Sequence, residues 1–326
     1  MIKKKGNLEL IIIAIVIVLS IIYIMFRKSD KVHYKIPELK NIKTNEITKI
    51  SLTKGERIVT LENRKGGWVI GEEAYPADET LVKKILTDVA EVKLTTLVSK
   101  AGNYFKYELD DPRKINVKVY VNKDVVREFD AGKVASTYDH TNIRLKNNKN
   151  VYHARGSIKN DLDKTLDELR DKKVFSINGD SVAEITFSMN GNDYILNKAV
   201  IPVKVSSSKE GKEPTEPKVE TEWKYENNKI ESSKPGSVLR IISDIKCDQY
   251  VYSEIELKGS EPLFSIKLAG TTEDEIKVYH KKADKEDDKY IFETSQSKYK
   301  FYLKKYRVDN VLNLFKEIFG IKDKKN

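Results

Sequence analysis

The chain has 326 residues, of which 34% are charged, and 60 Lys and Arg against 50 Asp and Glu give a formal net charge of +10. The two signs are interleaved along the sequence, which is typical of a solvated surface. The single cysteine, Cys247, excludes an intramolecular disulfide and a zinc site built from thiolates.

The first predicted element is an apolar helix over residues 10–26. This run holds 17 residues without a charge, which as a helix reaches across a bilayer core. No signal-peptide cleavage site or lipid-accepting cysteine follows it. Lysines and arginines flank both ends of the run, so charge does not decide its orientation in the membrane. The short tail before a signal-like run favours an N-terminus in the cytoplasm. We therefore expect a cytoplasmic tail and transmembrane anchor over residues 1–28 and a juxtamembrane linker over residues 29–44. The rest would lie outside the cytoplasm, at the bacterial inner membrane.

Beyond the anchor, an apolar spacing recurs that is typical of half-buried strands. It is found at residues 47–52, 182–187 and 263–268. The first two segments lead into turns that contain Gly55 and Gly191 and then into a second apolar strand, which predicts hairpins. Residues 115–121 alternate strictly, and Asn147-Asn148 is typical of another hairpin turn.

Four amphipathic helices are predicted where the apolar period changes from two to 3.6. Ser157 is expected to cap the second helix, and Pro235 suits the first turn of the third. The four apolar stripes are Leu81, Ile85, Leu86 and Val89; Ile158, Leu162, Leu166 and Leu169; Val238, Ile241, Ile242 and Ile245; and Val308, Val311, Leu312, Phe315 and Phe319.

These elements predict an α+β fold in which an N-terminal transmembrane helix precedes four strand-hairpin-helix units. The sheets would be mainly antiparallel, with helices on one face. Pairs of units would form two domains, at residues 45–175 and 176–326. Residues 203–221 are rich in Ser, Lys, Glu and Pro, and we expect a mobile loop there.

Four short motifs point to a known family: WVI at 68–70, YPAD at 75–78, YELDDP at 107–112 and LRDK at 169–172. Over residues 45–199 they resemble the bacterial family catalogued as domain of unknown function 4340. Glu108 replaces the Gly that is usual in the third motif. The resemblance implies no catalytic residues. It implies a location outside the cytoplasm and a gene neighbourhood with ABC-type transporters of the gliding-motility kind.

No motif in the sequence indicates catalysis. The histidines His33, His140, His153 and His280 have no metal-ligand spacing. His140 and His153 come close if the strands around Asn147-Asn148 pair, but nothing supplies a third ligand. Cys247 has no local histidine partner, and the carboxylate pairs Asp110-Asp111 and Asp287-Asp288 fit solvated turns. We therefore expect no catalytic residue, cofactor site or metal site.

Residues 298–307 (KYKFYLKKYR) interleave basic and aromatic side chains. As a half-buried strand, the segment would place Tyr299, Phe301 and Leu303 inside and the lysines outside. The alternative is a surface for an anionic partner, such as lipid headgroups or a cell-surface polymer. That surface would consist of Lys298, Lys300, Lys304, Lys305 and Arg307.

The sequence and the resemblance together predict a non-enzymatic, membrane-anchored extracytoplasmic accessory or scaffold protein. Its partner would be a protein in a membrane complex of an ABC-type transport system, such as the permease, and no nucleic acid is expected. Two alternatives stay open: a binding module for an anionic polymer or carbohydrate, and an uncharacterised hydrolase.

Overall fold

A computed structural model describes residues 5–26, 34–202, 219–251, 260–280 and 289–322. Strands account for 45% of the chain and helices for 26%, so the fold is mostly antiparallel β-sheet. The predicted α+β class is therefore wrong, because the segments between the helices are long meanders of strands. The helices are α1 (Lys5–Phe26), α2 (Glu79–Ala90), α3 (Ile158–Leu162), α4 (Leu166–Leu169), α5 (Ser233–Ile242) and α6 (Lys305–Phe319).

The predicted membrane anchor corresponds to α1. In the part of the chain that the structure describes, no helix has both the length and the apolar character needed to cross a bilayer. This finding corrects the predicted transmembrane helix, and with it the single-pass topology, the integral membrane partner and the inner-membrane location. The uncharged run of 17 residues is at the lower limit for a bilayer core, where about 20 apolar residues are usual, and the first turns of α1 carry the charged residues Lys5 and Glu9.

The first large sheet is built from nine strands. Their order across the sheet is β4-β3-β2-β1-β6-β7-β8-β9-β5. Their bounds are β1 (Lys49–Lys54), β2 (Arg57–Arg64), β3 (Gly67–Ile70), β4 (Tyr75–Pro76), β5 (Leu94–Ser99), β6 (Ile115–Val121), β7 (Asp124–Val134), β8 (His140–Leu145) and β9 (Val151–Arg155).

The second large sheet also has nine strands, in the order β14-β13-β12-β11-β17-β18-β19-β20-β16, and β10 pairs with β15 in a small sheet. Their bounds are β10 (Lys173–Ser176), β11 (Val182–Met189), β12 (Asn192–Pro202), β13 (Val219–Tyr225), β14 (Asn228–Ile230), β15 (Asp244–Lys246), β16 (Gln249–Tyr250), β17 (Phe264–Gly270), β18 (Glu273–His280), β19 (Lys289–Thr294) and β20 (Ser297–Lys304).

The two large sheets repeat one strand order, position by position. In both sheets a helix follows the fourth strand along the chain, α2 in the first and α5 in the second. The last strand is followed by α3 and α4 in the first sheet and by α6 in the second. The chain therefore contains two copies of one arrangement rather than four separate units. The reason is that β1 pairs with β6 and β11 pairs with β17, so each predicted pair of units shares a single sheet.

The chain divides into two compact units, residues 1–58 with 84–163 and residues 59–83 with 164–326. The predicted domain ranges stay a prediction. Apart from its last three residues, which lie in β13, the predicted loop at 203–221 lies outside the described residues.

The apolar pattern explains why these elements form. In the first unit Ile50, Val117 and Val119 are fully buried on β1 and β6, as their alternation predicts. In the second unit Phe187 of β11 stacks on Phe315 of α6, with ring centroids 4.3 Å apart. Full burial of such a side chain contributes about 1.5–3 kcal/mol.

The second predicted helix is divided in two. Thr165 forms a capping box with Glu168, so α4 begins afresh after α3 has ended. Ser157 does not cap α3; its hydroxyl donates to the carbonyl oxygen of Tyr138 instead. Ile245, predicted on the third helix, lies in β15.

Candidate binding site on the first sheet

The predicted approach of two histidines is confirmed. β8 and β9 pair across the turn at Asn147-Asn148, and the rings of His140 and His153 stack with centroids 5.3 Å apart. Burial lowers the pKa of His153, and the nearby charge of His140 lowers it further. Among the described residues, no group of three or more His, Cys, Asp or Glu side chains could hold a metal ion.

Two of the other groups considered for chemistry, Cys247 and His280, lie among the described residues. Cys247 is buried, and desolvation raises the pKa of its thiol to about 12, so it stays protonated at neutral pH. His280 lies against the ring of Tyr290. His33 and Asp287-Asp288 lie outside the described residues.

The predicted basic surface lies on β20 and the first turn of α6. Phe301 and Leu303 of β20 are buried, and Tyr299 is half-buried, as predicted. Because successive side chains of a strand point to opposite faces, lysines occupy the other face. The cations of this surface are Lys298, Lys300 and Lys304 on β20 and Lys305 and Arg307 on α6.

Two of these cations already have anionic neighbours. Lys300 Nζ lies 3.4 Å from Glu293 Oε1, and Arg307 Nη1 lies 3.3 Å from Asp248 Oδ2. Arg307 also donates to the carbonyl oxygen of Lys246, at 2.5 Å. These pairs weaken the local positive field, and a binding role for this surface stays a prediction.

The third family motif lies in the connection between β5 and β6, and we call residues 102–113 of this connection the Phe105 loop. It contains a 3-10 turn at Phe105–Tyr107 and then Glu108 at φ +54°. That left-handed conformation favours glycine, which explains why Gly is usual here in the family. In this chain Lys159 Nζ lies 2.7 Å from the Glu108 carboxylate, and this bond lowers the pKa of Glu108.

The underside of the Phe105 loop packs closely on the sheet. Leu109 is buried, at 1% exposure. A Cβ atom added at Gly132 of β7 would lie 2.2 Å from the carbonyl oxygen of Tyr107 and 2.8 Å from Leu109 Cγ. The close approach of loop and strand therefore requires glycine at this position.

Phe105 itself points outward from this fixed support. Its side chain is 71% exposed. The guanidinium of Arg113 lies over its ring at 3.9 Å from the centroid, donates to the Phe105 carbonyl oxygen at 3.0 Å and pairs with Asp110 at 2.7 Å. A shallow pocket of about 470 Å³ surrounds the ring. Its lining is Asn103, Phe105, Lys106, Glu108, Arg113 and Lys133.

A second concavity of about 430 Å³ opens where the outer face of the first sheet meets this loop, and we call it the polar cleft. Its lining consists of Tyr104, Lys114, Asn116, Glu128, Phe129, Asp130, Arg144, Leu145, Lys146, Asn147, Asn148 and Lys149. Most of these side chains are polar or charged, so the cleft suits a polar ligand rather than an apolar one.

A buried carboxylate organises the polar cleft. Asp130 is only 7% exposed. It accepts hydrogen bonds from Asn116 Nδ2 at 2.9 Å and from Arg144 Nε at 3.0 Å, and Lys114 Nζ lies 3.9 Å away. Charge-assisted bonds of this kind hold a guanidinium in one orientation.

Tyr104 joins the cleft to the Phe105 loop. Its hydroxyl donates to the carbonyl oxygen of Lys149 at 3.1 Å, which ties the loop to the β8–β9 turn. The guanidinium of Arg144 lies over the Tyr104 ring, 4.3 Å from the centroid. The cleft wall is therefore fixed by contacts within the first unit.

Sequence reasoning missed both features. Phe105 lies just before the YELDDP motif, and no sequence pattern distinguished it from a core aromatic residue. Asp130 and Arg144 are 14 residues apart and meet only because β7 pairs with β8. The periodicity of a single strand does not show which charges on neighbouring strands will meet.

Comparison with known families gives one match. The family described as Domain of unknown function (DUF4340) matches residues 68–263, more than half of the chain. No curated protein and no solved structure matches the chain. The match includes all four motifs identified above, and it confirms the resemblance while assigning no activity. The chain belongs to the DUF4340 family.

Proposed function

We propose that this protein is a non-enzymatic accessory or scaffold protein that holds a protein partner through the Phe105 loop. The observation that carries the proposal is the 71% exposure of Phe105 on a loop whose underside packs closely on Gly132 and buries Leu109. Single exposed apolar side chains are ordinary on protein surfaces. An aromatic ring that is held in place by an arginine is the kind of group that dominates binding energy at interfaces.

Rigidity is what makes this ring suitable for binding. A side chain that must be immobilised on binding costs about 0.5–1.5 kcal/mol in lost entropy. At Phe105 the ring is already stacked on Arg113, and the loop beneath it is anchored by Leu109. The ordering cost is therefore largely met before a partner arrives.

The charges around the ring define the chemistry of the partner. Lys106 and Lys133 line the pocket, while Glu108 is engaged by Lys159. The remaining field is positive, so the complementary surface is an apolar side chain flanked by carboxylates. We infer that the partner presents an acidic segment with an apolar anchor.

Site-specific crosslinking tests the proposal. A photo-crosslinking residue is placed at position 105 of the full chain, and at position 306 as a control, because Tyr306 is an exposed aromatic on α6, at 62% exposure. The protein captured from native cells at position 105 but not 306 is identified by mass spectrometry and purified. Its affinity for the chain is then measured directly.

The expected result is that Phe105→Ala weakens binding of the purified partner by at least about tenfold, the effect of a hot-spot residue. Tyr306→Ala should leave the affinity unchanged. If both variants bind as the wild type does, or if position 105 captures no protein that binds in purified form, the proposal is wrong.

A further inference from the structure

We propose that the polar cleft is a binding site for a small anionic ligand, one that carries a carboxylate or a phosphate on a hydroxylated framework. This inference is independent of the protein partner, because it concerns a different concavity. The volume of about 430 Å³ lies in the range of small-molecule sites.

Arg144 supplies the central recognition group. Its Nε and one Nη bond to Asp130, and its plane rests on Tyr104. A guanidinium has five N–H donors, and the bonds to Asp130 use only one side of it. Arg144 also has a side-chain hydrogen bond to Tyr104, and the donors that remain lie in the plane that these contacts fix at the wall of the cleft, an arrangement that binds oxyanions well.

The charges of the cleft favour an anion. Its two carboxylates are both engaged: Asp130 by Arg144, and Glu128 by Lys146, to which it is closely paired. Lys149 and Lys114 add two further cations, although Lys114 Nζ also lies 3.2 Å from Asp111 Oδ1. Lys149 lies exposed on the β8–β9 turn at the mouth of the cleft, where its ammonium group can reach a ligand at little cost. The lining therefore carries four cations against two carboxylates that are already satisfied.

Neutral polar groups extend the site beyond the anion. Asn116 donates its Nδ2 hydrogen to Asp130, so its Oδ1 atom is oriented by that bond and can accept a hydroxyl hydrogen. Asn147 lies at the turn with φ +61°. Hydroxyl groups next to a carboxylate or phosphate would find amide partners here, which is why we infer a hydroxylated framework.

The second sheet shows that the fold itself does not require these charges. The strand orders of the two sheets correspond, and β1 pairs with β6 in the same register as β11 pairs with β17. The positions of Asn116, Asp130 and Arg144 therefore correspond to three positions of the second sheet. These three positions hold Ser265, Lys277 and Glu293. A lysine thus replaces Asp130 and a glutamate replaces Arg144, so the two charges are reversed in the second sheet. Lys277 and Glu293 pair with other residues, Glu275 at 3.1 Å and Lys300 at 3.4 Å. The strand order is therefore kept without a counterpart of the Asp130–Arg144 pair, whereas an anion-binding site needs the guanidinium found in the first sheet.

Calorimetric titration of the full chain tests the inference. The probes are glucuronate for a carboxylate, glucose 6-phosphate for a phosphate, and glucose as the uncharged control. We expect at least one charged probe to bind with a Kd below about 1 mM and glucose to bind at least tenfold more weakly. The preference between the two charged probes distinguishes a carboxylate ligand from a phosphate ligand.

Three variants connect binding to the cleft. Lys149→Glu reverses an exposed charge and should weaken binding at least fivefold without affecting the fold. The double variant Asp130→Asn with Arg144→Gln removes the buried charges together, so that neither is left uncompensated, and should abolish binding. Lys298→Glu, on the basic surface of β20, is the matched control and should bind as the wild type does.

Each outcome decides the question. If neither anion gives a titratable signal up to about 10 mM, a range that would detect even millimolar affinity, the cleft is not an anion site. If Lys298→Glu weakens binding as much as Lys149→Glu, the anion binds to the basic surface of β20 or to the overall positive charge. If the double variant does not fold, the comparison of Lys149→Glu with Lys298→Glu still decides.

Discussion

Asp88 of α2 shows how burial sets the protonation of a single side chain. Its pKa is raised to about 7, first by desolvation and then by the hydrogen bond to Asp161 and the charge of that residue, while Lys84 acts in the opposite direction. Lys84 Nζ lies 2.8 Å from Asp161 Oδ1, so the lysine neutralises one carboxylate of the pair. The other carboxyl is left partly buried beside it.

This pKa predicts a pH dependence with a defined sign. An unfolded Asp titrates near pH 3.9, so the folded state holds this proton more tightly. The stability that the protonated carboxyl contributes is present below about pH 4 and is lost as the pH rises to about 7. Asp88→Asn cannot ionise, and we expect it to gain about 1 kcal/mol over the wild type at pH 8, a value reduced for solvent screening. Urea unfolding at pH 4 and pH 8 measures this.

The control is Asp124→Asn, which replaces an exposed carboxylate at the start of β7. It should not change the difference between the two pH values. An Asp88→Asn variant with no gain at pH 8 would show that the carboxyl is not desolvated.

At the scale of the element, local signals identified the helices and the repeated strands well. Val89, Val238 and Phe315, on three of the four predicted stripes, are fully buried. Apolar residues that repeat every 3.6 positions lie on one face of a helix, and that face packs on the core. The shared sheets were not predictable, since the pairing of β1 with β6 depends on contacts about 70 residues apart, which periodicity does not encode. The candidate site depends on the same long-range pairing, so its residue types were visible in the sequence but its geometry was not.

The division of the second predicted helix gives a test of capping. Thr165 Oγ1 accepts from the Glu168 N–H, and the Glu168 carboxylate accepts from the Thr165 N–H at 2.7 Å. This capping box starts α4 and positions Leu169, which is fully buried. We expect Thr165→Ala to cost about 1 kcal/mol in the free energy of unfolding.

Ser232→Ala provides the matched comparison, because the exposed Ser232 precedes α5 but its side chain does not cap that helix. Its cost should be clearly smaller than that of Thr165→Ala in the same denaturant titration. Equal costs would mean that the box does not define the start of α4.

The stacked histidines of β8 and β9 predict a second pH dependence. The pKa of His153 is lowered by burial first and by His140 second, so the folded state binds this proton more weakly than the unfolded state does. The stability of the fold should therefore decrease as the pH falls below about 6.5, the value of an unperturbed histidine. His153→Gln should reduce the fall in Tm between pH 7.5 and 5.5, and His140→Gln should reduce it less. A larger effect of His140→Gln would contradict this order of causes.

At the scale of the whole molecule, segments distant in the sequence meet around one buried cation. Within the second unit, the guanidinium of Arg170 lies over the Tyr75 ring, 3.4 Å from the centroid, and 4.8 Å from the centroid of Tyr250. Tyr299 tilts against Tyr75 at 4.6 Å and donates to the carbonyl oxygen of Glu73 at 2.9 Å. The cluster thus joins β4, the LRDK motif, β16 and β20.

This arrangement explains why two of the family motifs, YPAD and LRDK, occur together. Tyr75 and Arg170 belong one to each, and Ala77 forms an antiparallel bridge with Arg170. Asp78 N–H also donates to the carbonyl oxygen of Leu169, at 2.8 Å. The two motifs therefore form the two sides of one structural contact.

The last prediction tests that contact. Arg170 is only 2% exposed, so Arg170→Ala removes a large buried side chain and leaves a cavity between the tyrosine rings. Comparable truncations in protein cores cost about 2–5 kcal/mol. The control is Arg64→Ala on β2, whose side chain is 50% exposed and pairs locally with Glu62; this substitution should cost less than about 1 kcal/mol. Near-ultraviolet circular dichroism, which reports on packed tyrosines, should lose intensity in Arg170→Ala before the main unfolding transition. If the two variants unfold at the same denaturant concentration, Arg170 is not the centre of the contact, and the pairing of the two motifs needs another cause.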